Sequence, residues 1–295
     1  EVRESGPVRA VVRFHGKVLS THFAQDVILY EGLERVDFRH ILDYRMKMHT
    51  MTRVAYPLHV PEGQATYESP YGAVRLEADE LPGSFRGLGE RWGQKWIDVS
   101  NRDYGVTLGT RQVAHVVRHD GIDPILVRTA VDCGTIFYYH DQQRQYTFDY
   151  SLRPHAKGWK QAAAHRGGWE FNSPLHATNW TTCFPIKPLR LSRHLPERRG
   201  FLRVNAKNAV VTAVSPSDTD PEAYLVRVVE YHGKGGPARL DFEFPVKQAR
   251  SVNFLERDLG RLSVEGRSVH MQLTPNGIHS VKVWMKSQPS QGHGA

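Results

Sequence analysis

The sequence of 295 residues predicts an all-β protein organised in two parts. Runs of β-branched and aromatic residues occur along the chain, and turn-forming residues separate them at intervals of roughly ten positions. Helical periodicity appears only over residues 159–165, which is too short to build a helical layer. Short strands with frequent turns favour packed antiparallel sheets over an alternating α/β arrangement.

The boundary between the two parts is predicted at residues 185–200, where prolines and basic residues interrupt any sustained period. The expected organisation is a large β domain at 1–190, a linker at 191–204, a small antiparallel β-sandwich at 205–287 and a disordered tail at 288–295. Because the chain has no initiator methionine and soon enters strand-like sequence, we also expect the protein to continue upstream of Glu1.

The strands expected in the first part follow alternating or continuous apolar runs. They cover residues 8–14, 27–30, 35–39, 65–76, 125–131, 134–139 and 145–152. Residues 46–54 fit a short helix or a strand equally well. In the second part, compact strands are expected at 209–214, 224–231, 238–244, 251–255, 268–273 and 278–284.

The hairpin at residues 95–111 has the most distinct faces. Asn and Asp bond their own backbone in turns, so the turn is expected at 101–103, with Asp98 and Asp103 interpreted as turn-formers rather than catalysts. Alternation along the second strand gives an apolar face of Tyr104, Val106 and Leu108 and a small-residue face of Gly105, Thr107, Gly109 and Arg111. We expect the small-residue face to be open and to admit a ligand or another domain.

The composition argues against several classes of partner. The chain has 39 Lys and Arg residues and 31 Asp and Glu residues, which gives a net charge of +8. Because the excess is spread along the chain, we interpret it as solubility charge and expect no nucleic-acid partner. No apolar run approaches the ~20 residues of a membrane span, so no membrane partner is expected. Two cysteines, Cys133 and Cys183, favour a reducing compartment, with a single disulfide between them as the alternative.

Catalytic and metal-binding motifs that would make this chain a self-contained enzyme are missing from the sequence. It has no His-x-Asp, His-Glu-x-x-His, Gly-x-Ser-x-Gly or phosphate-binding glycine loop. His115 and His119 lie in valine-rich surroundings that predict a strand, in which four residues span ~13 Å, too far for one metal ion. No metal or other cofactor is therefore expected in this chain.

Several short motifs occur in an order typical of one enzyme family. They are ESGPVRA at 4–10, YPL at 56–58, ATYE at 65–68, KWIDVS at 95–100, YGV at 104–106, YSLRPH at 150–155, FNSPL at 171–175 and FPVK at 244–247. In this order and spacing the chain, from Glu1 to about Lys286, resembles the C-terminal half of family-38 glycoside hydrolases, the α-mannosidases.

The resemblance implies a large β-supersandwich, similar to that of galactose mutarotases, followed by a smaller antiparallel β-sandwich. It also implies retaining hydrolysis of α-linked mannose by an Asp nucleophile, with a zinc ion held by His and Asp. In the family those groups lie in an N-terminal barrel, so zinc is expected there and not in this chain. The implied partners are that catalytic barrel and an oligosaccharide containing α-mannose, with a homo-oligomer as a further option.

The implied function is that of a non-catalytic β region that buttresses the catalytic barrel and lines the sugar cleft of a cytoplasmic, bacterial-type α-mannosidase. Arg111 matches a family arginine that contributes to sugar binding, although Thr110 stands where that motif has Asp; the alternative is a structural surface arginine. Tyr104 is the second substrate-binding candidate, with burial in the core as its alternative. The alternative function is a free-standing carbohydrate-binding β-sandwich protein without its own catalysis.

Overall fold

The computed structural model describes residues 1–45, 50–81, 89–129, 143–176 and 199–286. The chain divides into two compact units, Glu1–Pro174 and Leu175–Ala295. The predicted boundary at residue 190, most of the predicted linker and the predicted tail lie outside the described residues and stay predictions. At the end of the predicted linker, Leu202–Val204 form a strand of the second unit, so these residues belong to the C-terminal sandwich.

The first unit is built mainly from strands. They are β1 (Val2–Ser5), β2 (Arg9–Val18), β3 (Thr21–Tyr30), β4 (Val36–Asp43), β5 (Thr50–Arg53), β6 (Tyr56–Pro57), β7 (Gln64–Ser69), β8 (Gly72–Arg75), β9 (Glu90–Trp92), β10 (Trp96–Ser100), β11 (Tyr104–Thr110), β12 (Ala114–Arg118), β13 (Gly121–Thr129) and β14 (Gln145–Ala156). Two short helices follow, α1 (Trp159–Ala162) and α2 (Ala164–Asn172).

Two antiparallel sheets form the body of this unit. The larger has the order β1-β2-β3-β4-β14-β11-β10-β7-β8, and the smaller has the order β5-β13-β12-β9, with β6 paired to β13. Side chains from both sheets meet in one core, where Tyr44, Ile97, Leu108, Ile122 and Tyr150 are fully buried. This arrangement follows from alternation, because each strand contributes one apolar face to the shared core.

Helices α1 and α2 lie against the other face of the nine-stranded sheet, which we call its outer face. Trp96 on β10, Trp159 on α1 and Ala164 on α2 form a second, smaller cluster there. The approach is close, because a Cβ added to Gly168 would lie 2.6 Å from the Trp96 Cβ and 2.9 Å from the Lys95 carbonyl oxygen. Glycine at position 168 therefore allows α2 to contact the sheet backbone.

The second unit is a β-sandwich of two antiparallel sheets. Its strands are β15 (Leu202–Val204), β16 (Ala209–Pro216), β17 (Ala223–Glu230), β18 (Gly236–Phe242), β19 (Val246–Val252), β20 (Asp258–Arg261), β21 (Ser263–Glu265), β22 (Ser268–Leu273) and β23 (Ile278–Met285). One sheet has the order β15-β18-β22-β21 and the other β16-β17-β23-β19-β20. They enclose a separate core that includes Val228, Leu240, Val269 and Val281.

One buried carboxylate organises two turns of this sandwich. Glu230, at the end of β17, accepts hydrogen bonds from the amides of His232 (2.9 Å), Gly233 (2.8 Å) and Asn276 (2.8 Å), and from Asn208 Nδ2 (2.8 Å). Burial by itself raises the pKa of Glu230, but these donors outweigh burial and the pKa is lowered. The buried charge therefore holds the turns after β17 and β22 together.

The all-β class predicted from the sequence is confirmed, as a large two-sheet unit followed by a smaller sandwich. The choice left open at 46–54 is settled as strand for Thr50–Arg53, while 46–49 and the strand predicted at 134–139 lie outside the described residues. The periodic segment at 159–165 is helical in two pieces, because Ala163 adopts left-handed backbone geometry between α1 and α2, and α2 ends at Asn172. Within the described ranges, no helix has both the length and the apolar character to cross a membrane.

Two alanine substitutions in α2 test the close contact at Gly168. Gly168→Ala should lower the free energy of unfolding by about 1–3 kcal/mol, because its Cβ overlaps Trp96 and the Lys95 backbone. Gly167→Ala should be neutral or raise it by up to about 1 kcal/mol, because its Cβ meets only the flexible end of Arg153, at 3.1 Å, and alanine favours a helix. Urea unfolding measures both, and equal effects would contradict the close contact.

Candidate functional site

The hairpin identified in the sequence consists of β10 and β11. Asn101 makes its turn, because Asn101 Oδ1 accepts hydrogen bonds from the amides of Asp103 (2.8 Å) and Tyr104 (2.9 Å). The interpretation of Asp98 as a turn-former is wrong. Asp98 lies inside β10, has no exposed surface and bonds side chains of the neighbouring strands.

The small-residue face of β11 is covered, which corrects the expectation that it is open to another domain. Gly105, Thr107 and Gly109 are all buried. Helix α2 lies over Gly109, where an added Cβ would contact Ser151 Oγ and the side chain of Phe171. Small residues occur here because a helix of the same unit needs the space. Thr107 and Gly109 also line a cleft beside α2.

Tyr104 does not join a site with Arg111. It is 39% exposed, which overturns the expectation of burial, and its hydroxyl donates to the His59 carbonyl oxygen at 2.7 Å. Tyr104 and Arg111 are seven positions apart at opposite ends of β11, on opposite faces, and a strand rise of about 3.3 Å per residue separates them by roughly 20 Å. A substrate role for Tyr104 stays a prediction, separate from that of Arg111.

A buried hydrogen-bonded group joins β10, β11 and β14. Asp98 Oδ2 accepts hydrogen bonds from Thr107 Oγ1 and from His155 Nε2, both at 2.7 Å, and His155 Nδ1 lies 3.1 Å from the Lys157 carbonyl oxygen. Because both ring nitrogens face acceptors, this arrangement favours the doubly protonated imidazolium of His155. Burial by itself lowers the pKa of His155, but the hydrogen bond and charge of Asp98 outweigh burial and the pKa is raised.

A row of alternating charges crosses the outer face of the nine-stranded sheet. In spatial order it contains Arg13, Asp26, Arg39, Asp149 and Arg111. Arg13 pairs with Asp26 at 2.6 Å, and Arg39 pairs with Asp149 at 2.7 Å. The hydrogen bond from Arg13 holds the pKa of Asp26 below its usual range despite partial burial. Antiparallel register places Arg13, Asp26, Arg39 and Asp149 side by side on four strands, and Arg111 follows directly after β11.

Arg111 lies at the end of this row, beside the C-terminal end of α2. Its Nη1 is 3.4 Å from Asp149 Oδ2, and its Nη2 donates to the Phe171 carbonyl oxygen at 3.3 Å. Its guanidinium carbon lies 5.1 Å from the centre of the Phe171 ring, within cation–π distance. The side chain is 42% exposed, so Arg111 has a structural role and keeps surface that faces solvent. Contact with a sugar stays a prediction.

A second arginine reaches the same phenylalanine. Arg35 pairs with Asp37 at 2.9 Å, and its guanidinium carbon lies 5.5 Å from the Phe171 ring centre. Burial raises the pKa of Asp37, and the nearby Asp149 charge adds to this, while Arg35 opposes it without cancelling it. The Phe171 ring therefore links α2 to charged groups on β11 and before β4.

A cleft of about 200 Å³ opens between α2, the outer face and the loop before β4. Its charged and hydroxyl lining groups are Glu34, Arg35, Thr107, Ser151, Arg153 and Glu170, and its glycines are Gly32, Gly109, Gly167 and Gly168. Arg153 is half-buried, and its guanidinium has no hydrogen-bond or ion-pair partner among the residues that the structure describes. In this respect it differs from the arginines of the charged row.

Sequence reasoning missed His155 and Arg153 as site residues. Both lie in the YSLRPH motif, which entered only as a mark of resemblance. Register places Arg153 opposite Thr107 and His155 opposite Gly105, on the same face as the rest of the group. Alternation within the motif could have indicated the shared face, but the pairing of β14 with β11 is not visible in the sequence.

The strand predicted around His115 is present, and its side chain is buried rather than placed at a metal site. His115 lies in β12 and is fully buried, which confirms the strand expected there; burial lowers the pKa of His115 to about 4, so its ring is neutral near pH 7. No group of three or more His, Cys, Asp or Glu side chains within the described ranges is placed to hold a metal ion. Cys133 and Cys183 lie outside those ranges, so their expected chemistry stays a prediction.

Two family models match this chain, one in each unit. The model described as "Glycosyl hydrolases family 38 C-terminal domain" matches residues 1–131, and that described as "Glycosyl hydrolases family 38 C-terminal beta sandwich domain" matches residues 208–281. Together the two matches cover more than half of the chain, in the order in which the two units occur. The chain belongs to glycosyl hydrolase family 38, and its two units correspond to C-terminal domains of that family.

Curated relatives agree with this family-38 assignment. Alpha-mannosidase 2C1 of Mus musculus is 23% identical over 279 residues, covering 92% of this chain and 25% of the relative. Alpha-mannosidase G of Dictyostelium discoideum is 23% identical over 277 residues, covering 87% of this chain and 23% of the relative. The family-38 chain therefore spans about a quarter of the length of the curated relatives it matches.

The fold agrees with that of a solved family member. The crystal structure of an alpha-mannosidase from Enterococcus faecalis V583 superimposes with a TM-score of 0.73 at 18% identity, covering 96% of this chain and 34% of that one. A second Enterococcus faecalis structure, of a protein in glycosyl hydrolase family 38, gives a TM-score of 0.71 over 96% of this chain and 36% of that one. At this identity the likeness shows the fold.

The Asp98–His155 pair generates a pH-dependent stability difference. Because the folded pKa of His155 is raised above its unfolded value of about 6.5, the pair's full contribution is present below pH ~6.5 and is lost as pH rises through the folded pKa. His155→Gln should therefore lower the free energy of unfolding by about 3 kcal/mol near pH 5.5 and by less at alkaline pH. Urea unfolding from pH 5.5 to 9 measures this, with the exposed His22→Gln as control; a difference that grows with pH would contradict the assignment.

Proposed function

We propose that this chain is the non-catalytic β region of an α-mannosidase, which buttresses a catalytic domain and contributes Arg111 to one wall of its sugar cleft. The observation that carries the proposal is that both units match C-terminal domains of family 38. The curated relatives of the same family are named alpha-mannosidases, and about three quarters of their length lies outside the matched region. That remainder is where the proposal places the hydrolytic groups.

The ionic groups of the outer face support a structural rather than a hydrolytic role. Asp98 is bonded to His155 and Thr107, and Asp149 is shared by two arginines. A glycosidase acid or nucleophile must face the sugar with an available carboxyl oxygen. These carboxylates instead hold neighbouring strands together, which is the property that a rigid support requires.

Zinc, which the family resemblance implies, finds no ligand set within the described ranges of this chain. The proposal therefore assigns zinc to the catalytic domain and derives no step through it here. The catalytic barrel and an oligosaccharide with α-linked mannose are the proposed partners. A cytoplasmic location and a homo-oligomer remain parts of the same proposal.

Arg111 is proposed to hydrogen-bond the sugar with the exposed part of its guanidinium. The planar group carries five N–H donors, and the contacts to Asp149 and Phe171 fix its position without using all of them. A guanidinium held in place at the edge of a rigid sheet can donate to substrate hydroxyls with little loss of side-chain entropy. This gives the β region a direct contact with substrate beyond mechanical support.

Turnover of an aryl α-mannoside tests the proposal. The chain alone should show no activity, and the chain joined to the polypeptide encoded upstream of Glu1 should hydrolyse the substrate. In the joined protein, Arg111→Gln should lower kcat/KM by about tenfold to a hundredfold, as expected for loss of a charge-assisted hydrogen bond.

Arg39→Gln is the matched control, because Arg39 pairs with the same Asp149 on the same sheet. It should leave kcat/KM within about twofold of the unmodified protein. Full turnover by the lone chain would overturn the non-catalytic role. Equal losses in the two variants would show that Arg111 acts only through the charged row.

A further inference from the structure

The cleft beside α2 is separate from the surface proposed for Arg111. Arg111 is not among its lining residues, and Phe171 lies between Arg111 and Arg35, which does line it. We propose that this cleft is a binding site for one neutral sugar residue, with Arg153 as its principal hydrogen-bond donor. The site goes beyond the proposed function, because it needs neither a catalytic domain nor Arg111.

Arg153 is the group that points to a ligand. Arg13, Arg39 and Arg111 on the same face each contact a carboxylate. Arg153 is half-buried in the cleft wall, and no described residue accepts a hydrogen bond from it. A guanidinium carries several donors, and those of Arg153 make no hydrogen bond within the described residues. They are therefore available to an occupant that supplies oxygen acceptors at this position.

The charges of the cleft select a neutral occupant over an anion. Glu34 and Glu170 both line it, and both residues are exposed. Arg35, the other cation of the lining, is paired with Asp37. The lining therefore holds one unpaired guanidinium and two carboxylates, a balance that disfavours a phosphate or a carboxylate. Hydroxyl groups can accept from Arg153 and donate to a glutamate at the same time, so a polyhydroxylated ring matches both.

The shape of the cleft agrees with a single ring. Its volume of about 200 Å³ is below the ~300–1,000 Å³ of pockets for drug-sized ligands. Gly32, Gly109, Gly167 and Gly168 place backbone rather than side chains along its surface. The hydroxyls of Thr107 and Ser151 add polar groups on the sheet side. A sugar ring can therefore lie close to the backbone and reach donors and acceptors at its edge.

Ligand-observed NMR titration of the 295-residue chain tests the site. The probes are methyl α-mannoside, methyl α-glucoside, methyl α-galactoside and inorganic phosphate. We expect at least one glycoside to bind with a dissociation constant on the order of 1 mM, as is typical of a ligand of this size, and to bind more tightly than phosphate. The glycoside with the highest affinity identifies the arrangement of hydroxyl groups that the cleft binds best.

Three variants locate the binding. Arg153→Gln should weaken it at least tenfold, and Gly167→Leu should abolish it, because the Cβ at 167 is directed at the Arg153 guanidinium, 3.1 Å away. Arg102→Gln, in the exposed turn of the β10–β11 hairpin, is the matched control and should bind normally. Circular dichroism checks that each variant is folded.

The proposal is overturned if no glycoside binds with a dissociation constant below roughly 50 mM, or if phosphate binds more tightly than every glycoside. It is also overturned if the Arg153→Gln variant binds the glycoside as tightly as the unmodified chain. Loss of binding in Arg111→Gln with retention in Arg153→Gln would also overturn it. These outcomes are independent of turnover by the joined protein. The sugar site and the α-mannosidase proposal can therefore fail separately.

Discussion

The structure of the candidate site depends on the close approach of helix α2 to the backbone of β10 and β11. Gly168 permits it, and Asn172 secures it by donating from Nδ2 to the carbonyl oxygen of Thr110 at 2.9 Å. The helix in turn positions Phe171 between two arginines and supplies one wall of the cleft.

Electrostatic pairing explains how a sheet can carry so many charges under a helix. Asp98 has no exposed surface and is paired with His155, and Asp26 and Asp149 are paired with arginines on adjacent strands. Removing a charge from water is costly unless a partner with good geometry replaces the solvent. The antiparallel register provides that geometry, since residues opposite each other lie within reach. Arg153 differs from these paired groups, because no described residue accepts a hydrogen bond from its guanidinium.

The family-38 assignment and the site geometry lead to the same kind of function. A region that makes up about a quarter of its relatives, and whose outer-face carboxylates are committed to pairs, is suited to support and to recognition. Both proposed contacts with sugar use arginines. Arg111 is fixed by its neighbours and presents a free edge, whereas Arg153 lacks any partner within the described residues and lines a cleft. The two arginines therefore differ in what holds them, although both lie on the outer face.

The sequence by itself determined the all-β class, most of the strands and the two faces of the hairpin, because these follow from alternation between neighbouring residues. It also indicated the family, through short motifs that are each contiguous in the sequence. Only the tertiary structure decided what covers each face. Gly109 is buried by Phe171, and Asp98 is paired with His155, 57 residues along the chain. Such contacts depend on which strands pair and where the helix docks, and local periodicity carries no information on either. For this reason the sequence placed Arg111 on the correct face but missed Arg153 and His155 beside it.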